Sequence, residues 1–312
     1  MQAVILAAGK GKRLHPVSQV RSKAMAPVAG QPMVARVMQL LASVGVDDFT
    51  LVCHPDDQDI RTYFAGDHDF GVVRFVEQRE RLGMAHALGL AAPVLQGDFI
   101  LSACDNLVPV EHMAELVATH RERGANATLS LMAIDPARTA HTGIVEWQDG
   151  LIVGIVEKPQ PHEAPSNISS LPLYLFSERL LTHLSAVKAS PRGEYELQDA
   201  IQLLIEHDGG VTGVLTPERL QLTDVNDLLH LNRRFQDQEQ SQTMDEPGNG
   251  VRLIPPLYIG PGVEIGEGCT IGPHVTLEEG CHIGAGAQLE DTIVLRNGRV
   301  AAGRKLKHEI VV

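Results

Sequence analysis

Residues 4–27 read VILAAGKGKRLHPVSQVRSKAMAP. An apolar run with the length of a buried strand ends in Gly9-Lys10-Gly11-Lys12-Arg13, and a second basic cluster, Arg21 and Lys23, follows. From the start to Asp47 there are six Lys or Arg and no Asp or Glu, although the whole chain carries a net charge of -13. Glycines let backbone N–H groups approach an anion, and Arg13 and Lys23 supply neutralising charge. A carboxylate here would repel such a ligand, at about 4 kcal/mol for a unit pair 4 Å apart and an effective dielectric near 20. The stretch therefore reads as a strand leading into a polyphosphate-binding segment, with a solvated basic loop as the plain alternative. It is neither a Walker A loop, because G-x-x-x-x-G-K-[ST] is absent, nor the dinucleotide fingerprint, because the third glycine is missing.

Working outward, residues 1–235 alternate apolar runs with amphipathic stretches, the pattern of strands and crossover helices around a mostly parallel sheet. Pro32 opens a helix whose Val34, Val37, Met38, Leu41 and Val44 share a face, and Gly45 suits the position past its end. FTLVC is the next strand. DFILSACDN is another, with Asp105 at its carboxyl end, the edge where open α/β sheets bind ligands.

Residues 236–251 are polar and close on Pro and Gly, which marks a linker. Beyond it Leu253, Ile259, Ile265, Ile271, Leu277, Ile283, Leu289 and Leu295 recur every six residues, and the positions four further on are small or apolar. This predicts a short parallel β-helix over 252–300 with fewer than three coils, followed by a tail over 301–312. Stacking at intervals of 18 places Ile259 against Leu277 and Leu295. So small a core calls for packing on the first domain or on another subunit.

With 44% hydrophobic residues in 312, the chain can bury a sizeable core. Its apolar runs are strand-sized and no cleavable signal pattern precedes AVILAAG, so the expectation is a cytoplasmic protein without membrane spans. The acidic balance opposes nucleic-acid binding. Cys53, Cys104, Cys269 and Cys281 show no metal or disulfide spacing and read as buried thiols.

The segment LAAGKGKRLHPVSQVRSKAMAPVAGQPM resembles the signature of the sugar-1-phosphate nucleotidyltransferases, commonly L-A-A-G-x-G-T-R-L-x-P followed by P-K-x-M-x-P-V. EQRERLGMAHAL resembles the family's base-recognition loop, CDN its metal-binding aspartate, EKP its sugar-phosphate lysine, GEYELQDAI a helix near the sugar, and LTDVN a second metal-binding aspartate. The resemblance implies a Rossmann-like α/β domain, a C-terminal left-handed β-helix, and transfer of a nucleotidyl group to a sugar 1-phosphate with release of pyrophosphate. It implies that Arg13, with Gly9 and Gly11, holds the β- and γ-phosphates and that Lys23 stabilises charge at the α-phosphate. Asp105 and Asp224 would bind Mg²⁺, and Ala7, Ala8, Gln78 and Gly83 would meet a pyrimidine. Lys158 would bind the sugar's phosphate, with Gly143, Glu157 and Glu196 at the sugar. Arg13, Lys23 and Lys158 are thus the catalytic candidates.

Isolated aspartates after strands also serve as caps, and Glu196 and Asp199 equally suit a helix start. His86 reads either as part of a pyrimidine site or as a packed helix residue. Lys12 and Met84 stand where the family usually has Thr, Ser22 and Ala24 where Pro is common, and Ser170 and Pro172 where Asn and Gly are usual. The expected reaction joins dTTP or UTP to a sugar 1-phosphate, glucose 1-phosphate first. The alternatives are a catalytically inactive regulatory subunit and a bifunctional pyrophosphorylase/acetyltransferase, and the β-helix is expected to build a homo-oligomer.

Overall fold

A computed structural model describes residues 1–239 and 249–312. The chain divides into two compact units, one of Met1–Gly9 with Val37–Leu220, the other of Lys10–Arg36 with Gln221–Val312. The basic segment, which follows the first strand in chain order, thus shares its unit with the C-terminal solenoid.

The first unit is built on a nine-stranded sheet: β1 (Gln2–Leu6), β2 (Asp48–Cys53), β3 (Val72–Glu77), β4 (Phe99–Ala103), β5 (Ala127–Ala133), β6 (Gly143–Gln148), β7 (Leu151–Glu157), β8 (Ile168–Phe176) and β9 (Val211–Leu215). In space the order is β3-β2-β1-β4-β8-β5-β9-β7-β6. The expected parallel sheet is present as the core β3-β2-β1-β4. The rest is mixed, because β8 enters antiparallel between β4 and β5 and the pair β7–β6 is antiparallel. Ala3, Val4 and Ile5 of β1 are fully buried, as a central strand covered on both faces requires. Helices α1 (Met33–Ala42), α2 (Gln58–Ala65), α3 (Met84–Ala91), α4 (Val110–Arg123), α5 (Arg179–His183) and α6 (Leu197–His207) connect the strands, and α7 (Val225–Gln238) belongs to the second unit.

Helix α7 runs past the boundary expected at Phe235, and the expected linker falls largely on residues 240–248, outside the described ones. The solenoid follows. Arg252–Leu253, Thr270–Ile271 and the first halves of the strands Gln288–Val294 and Lys305–Val311 stack in parallel on one face, and the second halves of those two strands turn onto the next. Leu257–Ile259 and Val275–Leu277 stack on a second face, and Glu264–Ile265, His282–Ile283 and Arg299–Val300 on a third. Three coils and part of a fourth therefore form, and the residues expected as a tail supply the last strand. Ile259 pairs with Leu277 as expected, but Leu277 pairs with Val294 rather than Leu295. The step shortens by one residue at the corner around Asp291, whose φ is 47°. Beyond it the buried stripe continues as Val294, Val300 and Leu306. All four cysteines are buried free thiols.

Candidate active site

Sequence motifs far apart in the chain meet in the first unit. Gln78 leaves β3 and is buried at 4% exposure. Its Nε2 donates to the Gly83 carbonyl (3.2 Å) and lies 3.0 Å from His86 Nδ1 on α3. His86 is therefore a positioning group for the Gln78 amide, and Oε1 is left as the acceptor the side chain presents. Gly83 has φ 101°, and a Cβ there would lie 2.5 Å from the Tyr195 carbonyl oxygen, so only glycine allows this approach. Tyr195 N–H donates to Leu82 O (2.7 Å), and Ala85 N–H donates to Tyr195 O (3.1 Å). The stretch EQRERLGMAHAL is thereby pinned to the GEYEL stretch. Arg81 Nε donates to the carbonyl of Ala8, which joins the same loop to the end of β1. Ala7 and Ala8 are buried there, at 2% and 5%.

Next to Tyr195 lies a second group. A Cβ on Gly143 would come within 3.1 Å of both Glu157 Oε2 and Gln198 Cγ. Glu157 Oε2 and Gln198 Oε1 are buried acceptors with no donor among the described residues. Buried polar atoms are nearly always satisfied, so this pair marks a place where ligand donors fit. Glu157 Oε1 lies 3.1 Å from Lys158 Nζ and 3.6 Å from Arg192. Lys158 has φ 47°, a rare conformation for a side chain-bearing residue, held by its N–H donating to Thr142 O (3.1 Å). Glu196 occupies the N-cap position of α6, but its carboxylate makes no cap bond. It accepts instead from Ser190 Oγ and Arg192, both at 2.8 Å. Burial, with Glu196 nearby, pushes the Asp199 carboxyl up.

Asp105 stands two residues beyond β4, where Cys104 N–H donates to Leu6 O (3.2 Å) and fixes the strand end. Arg219 Nε donates to Asn106 Oδ1 (2.6 Å), and Asn106 is 1% exposed. Burial lowers the Arg219 guanidinium from its usual range, and attraction to Asp105 opposes that shift. Sequence reasoning missed Arg192, Gln198 and Arg219. The first two lie inside PRGEYELQDAI, and the third carries no recognisable local signal.

In the second unit the basic segment folds as three single turns, Lys12–Leu14, Val17–Gln19 and Lys23–Met25. Gly11 has φ 57°, and a Cβ on it would lie 2.9 Å from Lys23 Cβ, so the two basic clusters are in contact. Arg21 and Arg36 have structural duties. Arg21 pairs with Glu278 at 2.8 Å, while Arg36 pairs with Glu239 and lies 4.4 Å over the Phe235 ring. The absence of carboxylates in the segment thus leaves Arg21 and Arg36 to be neutralised by distant ones. Arg13 is exposed and Lys23 half-buried.

Asp224 is a helix cap. Its Oδ1 accepts from Asn226 N (2.9 Å) and Asp227 N (3.2 Å), in a capping box completed by Asp227. Oδ2 takes no part in the cap. Among the described residues no group of three or more His, Cys, Asp or Glu could hold a metal by itself. Asp105 and Asp224 offer hard oxygen donors, which suit Mg²⁺, an ion that keeps waters and bridges phosphates. No described helix is long and apolar enough to cross a membrane.

Residues 2–219 match the family model for nucleotidyl transferases and residues 253–312 the one for the GMPPB C-terminal domain. The chain belongs to the nucleotidyl transferase family. It is 29% identical over 245 residues, 78% of this chain and 100% of the relative, to UTP–glucose-1-phosphate uridylyltransferase AglF of Haloferax volcanii. It is 27% identical over 288 residues, 86% of this chain and 80% of the relative, to the glucose-1-phosphate thymidylyltransferase of Streptomyces antibioticus. A UDP-glucose pyrophosphorylase complexed with UDP-glucose shares the fold, with TM-score 0.70 and 16% identity over 76% of this chain and 99% of the other.

Proposed function

We propose that the protein joins a nucleoside triphosphate bearing uracil or thymine to a sugar 1-phosphate, glucose 1-phosphate first, and releases pyrophosphate. An oxygen of the sugar phosphate attacks the α-phosphorus, the bond to the β-phosphate bridging oxygen breaks, and both electrons leave with pyrophosphate. A phosphate monoester dianion is nucleophilic at neutral pH, so the protein's tasks are position and charge neutralisation. Gly9, Gly11 and Arg13 hold the β- and γ-phosphates, and Lys23 stabilises charge at the α-phosphate. Asp105 and Asp224 hold Mg²⁺, which supplies further charge neutralisation when bound. Lys158 takes the sugar's phosphate, while Glu157, with the Gly143 backbone, receives its hydroxyls.

The uracil or thymine preference is supported by Gln78. With Nε2 engaged by Gly83 and His86, Oε1 faces a base as an acceptor, which suits an imide N3–H and opposes cytosine. The observation that carries the reading is the sugar side: two buried acceptors without donors among the described residues, packed closely around Gly143 and next to a lysine, fit an anionic polyhydroxyl ligand. The relatives named for glucose 1-phosphate support the choice of sugar. The test is pyrophosphate release from UTP or dTTP with glucose 1-phosphate and Mg²⁺. Turnover is expected with one or both; nucleotide binding without product from any pair would favour an inactive regulatory subunit. The solenoid, with its stacked edges, is proposed to build a homo-oligomer of a cytoplasmic enzyme.

A further inference from the structure

The segment from Lys10 to Lys23 has little to hold itself in place. Its regular structure is three isolated turns of three residues, and fixing each backbone residue costs about 1–2 kcal/mol of conformational entropy. Something outside the segment must supply its order. Within the second unit, residues 10–32 are tied down at three places, one in the segment itself and two just after it, by the β-helix and helix α7.

The first is an ion pair. Arg21 Nη1 meets Glu278 Oε1 at 2.8 Å, with the two side chains only 8% and 13% exposed. Glu278 is itself fixed at the corner after Leu277: its Oε2 accepts from Arg296 N (2.9 Å), and its own N–H donates to Val294 O (3.0 Å). The second is the hairpin Pro27–Val28/Gln31–Pro32, where Gly30 (φ 82°) lies so close to the Tyr258 ring that a Cβ would fall 2.4 Å from it. The third is a buried amide ladder. Ala29 N–H and Thr276 Oγ1 donate to Asn232 Oδ1 at 3.0 and 2.7 Å, and Gln236 Nε2 donates to Val275 O at 3.0 Å. Asn232 and Thr276 are wholly buried. Helix α7, whose first turn Asp224 caps, lies inside this ladder.

We infer that Arg21 and Glu278 are positioning residues for the triphosphate: their ion pair sets the phosphate segment on the second coil of the solenoid. Arg21 is two residues from Lys23, and Lys23 Cβ abuts Gly11, so the pair is linked through Lys23 to the Gly11–Arg13 turn. The β-helix is then a working support of the phosphate segment. A partner or ligand that alters the corner at Glu278 acts on triphosphate affinity. The inference rests on the phosphate roles proposed above for Gly11, Arg13 and Lys23.

The experiment compares the full chain with Glu278→Gln, which keeps an acceptor for Arg296 N but removes the charge, and with Arg21→Lys, which keeps the charge but loses the planar fork. Steady-state kinetics give separate KM values for UTP and glucose 1-phosphate, and calorimetry gives UTP affinity without turnover. Each variant is expected to raise the UTP KM and Kd about tenfold, a change of about 1.4 kcal/mol, with the sugar-phosphate KM within about twofold. The charge-exchanged pair Arg21→Glu with Glu278→Arg should regain part of the loss. Unchanged UTP affinity in both single variants, or an equal loss for both substrates together with a lowered unfolding midpoint, would overturn the inference. Were the native chain to bind UTP without turning over, the calorimetric comparison would still decide it, while the enzymatic reading alone would fall.

Discussion

Replacing Gly83 by alanine probes how the loop proposed to meet the base is held. At φ 101° a side chain is strained, at about 1–3 kcal/mol, and the added Cβ would lie 2.5 Å from Tyr195 O and 2.9 Å from Tyr195 N. Those neighbours are main-chain atoms that cannot rotate away. The loop must lift, which disrupts the bonds Tyr195 N–Leu82 O (2.7 Å) and Ala85 N–Tyr195 O (3.1 Å), each worth about 1 kcal/mol net. The total is about 3–5 kcal/mol. If the loop moves alone, the change falls on nucleotide binding, where 3 kcal/mol exceeds a hundredfold in affinity. If the loop holds, it falls on stability. The assay pairs denaturant unfolding with a UTP titration read by pyrophosphate release. Because the contact is made by main chain, Tyr195→Phe should leave both readouts near native. Gly83→Ala with native stability and a UTP KM within about twofold would refute the reasoning.

Asp224→Asn separates capping from metal binding: asparagine caps about as well as aspartate, so the unfolding midpoint should hold while kcat at fixed Mg²⁺ falls about a hundredfold or more. A loss of stability without loss of activity would make Asp224 a cap only. Glu157→Gln weakens the pairing with Lys158 and Arg192, and sugar-phosphate KM should rise about tenfold with UTP KM nearly unchanged, measured by varying each substrate in turn. Asp291 predicts an acid-sensitive solenoid corner: burial pushes its carboxyl up, but hydrogen bonds from His308 and Arg233 outweigh this and hold it below the ordinary carboxylate value. Its folded pKa being depressed, its stabilisation is present above about pH 4 and is lost as pH falls through the folded value. Unfolding midpoints followed from pH 6 downward should drop less steeply in Asp291→Asn, and an identical slope would remove Asp291 from the account.

Much of this was legible in the residues. The apolar run before GKGKR is the central strand, DFILSACDN places Asp105 at a strand end, and the six-residue stripe is the solenoid. Strand direction was not legible, since the apolar run of β8 looks the same whether it enters parallel or antiparallel. The last coil was hidden by one residue. The corner at Asp291 shortens the step, and the stripe reappears at Val294, Val300 and Leu306, one position earlier than the hexad phase. Sequence separation also concealed which carboxylates serve the basic segment: Glu278 and Glu239 meet Arg21 and Arg36 across more than two hundred residues. The roles of Gln198 and Arg192 emerged only once burial exposed acceptors and charges that local spacing does not encode.

The most direct test is a matrix of UTP, dTTP, CTP, ATP and GTP against several sugar 1-phosphates, with Mg²⁺ present or chelated, read by pyrophosphate release. The account predicts turnover confined to UTP or dTTP, highest with glucose 1-phosphate, and abolished by chelation or by Lys23→Ala in a folded protein. Preferred use of CTP or ATP, or full activity in Lys23→Ala, would contradict it.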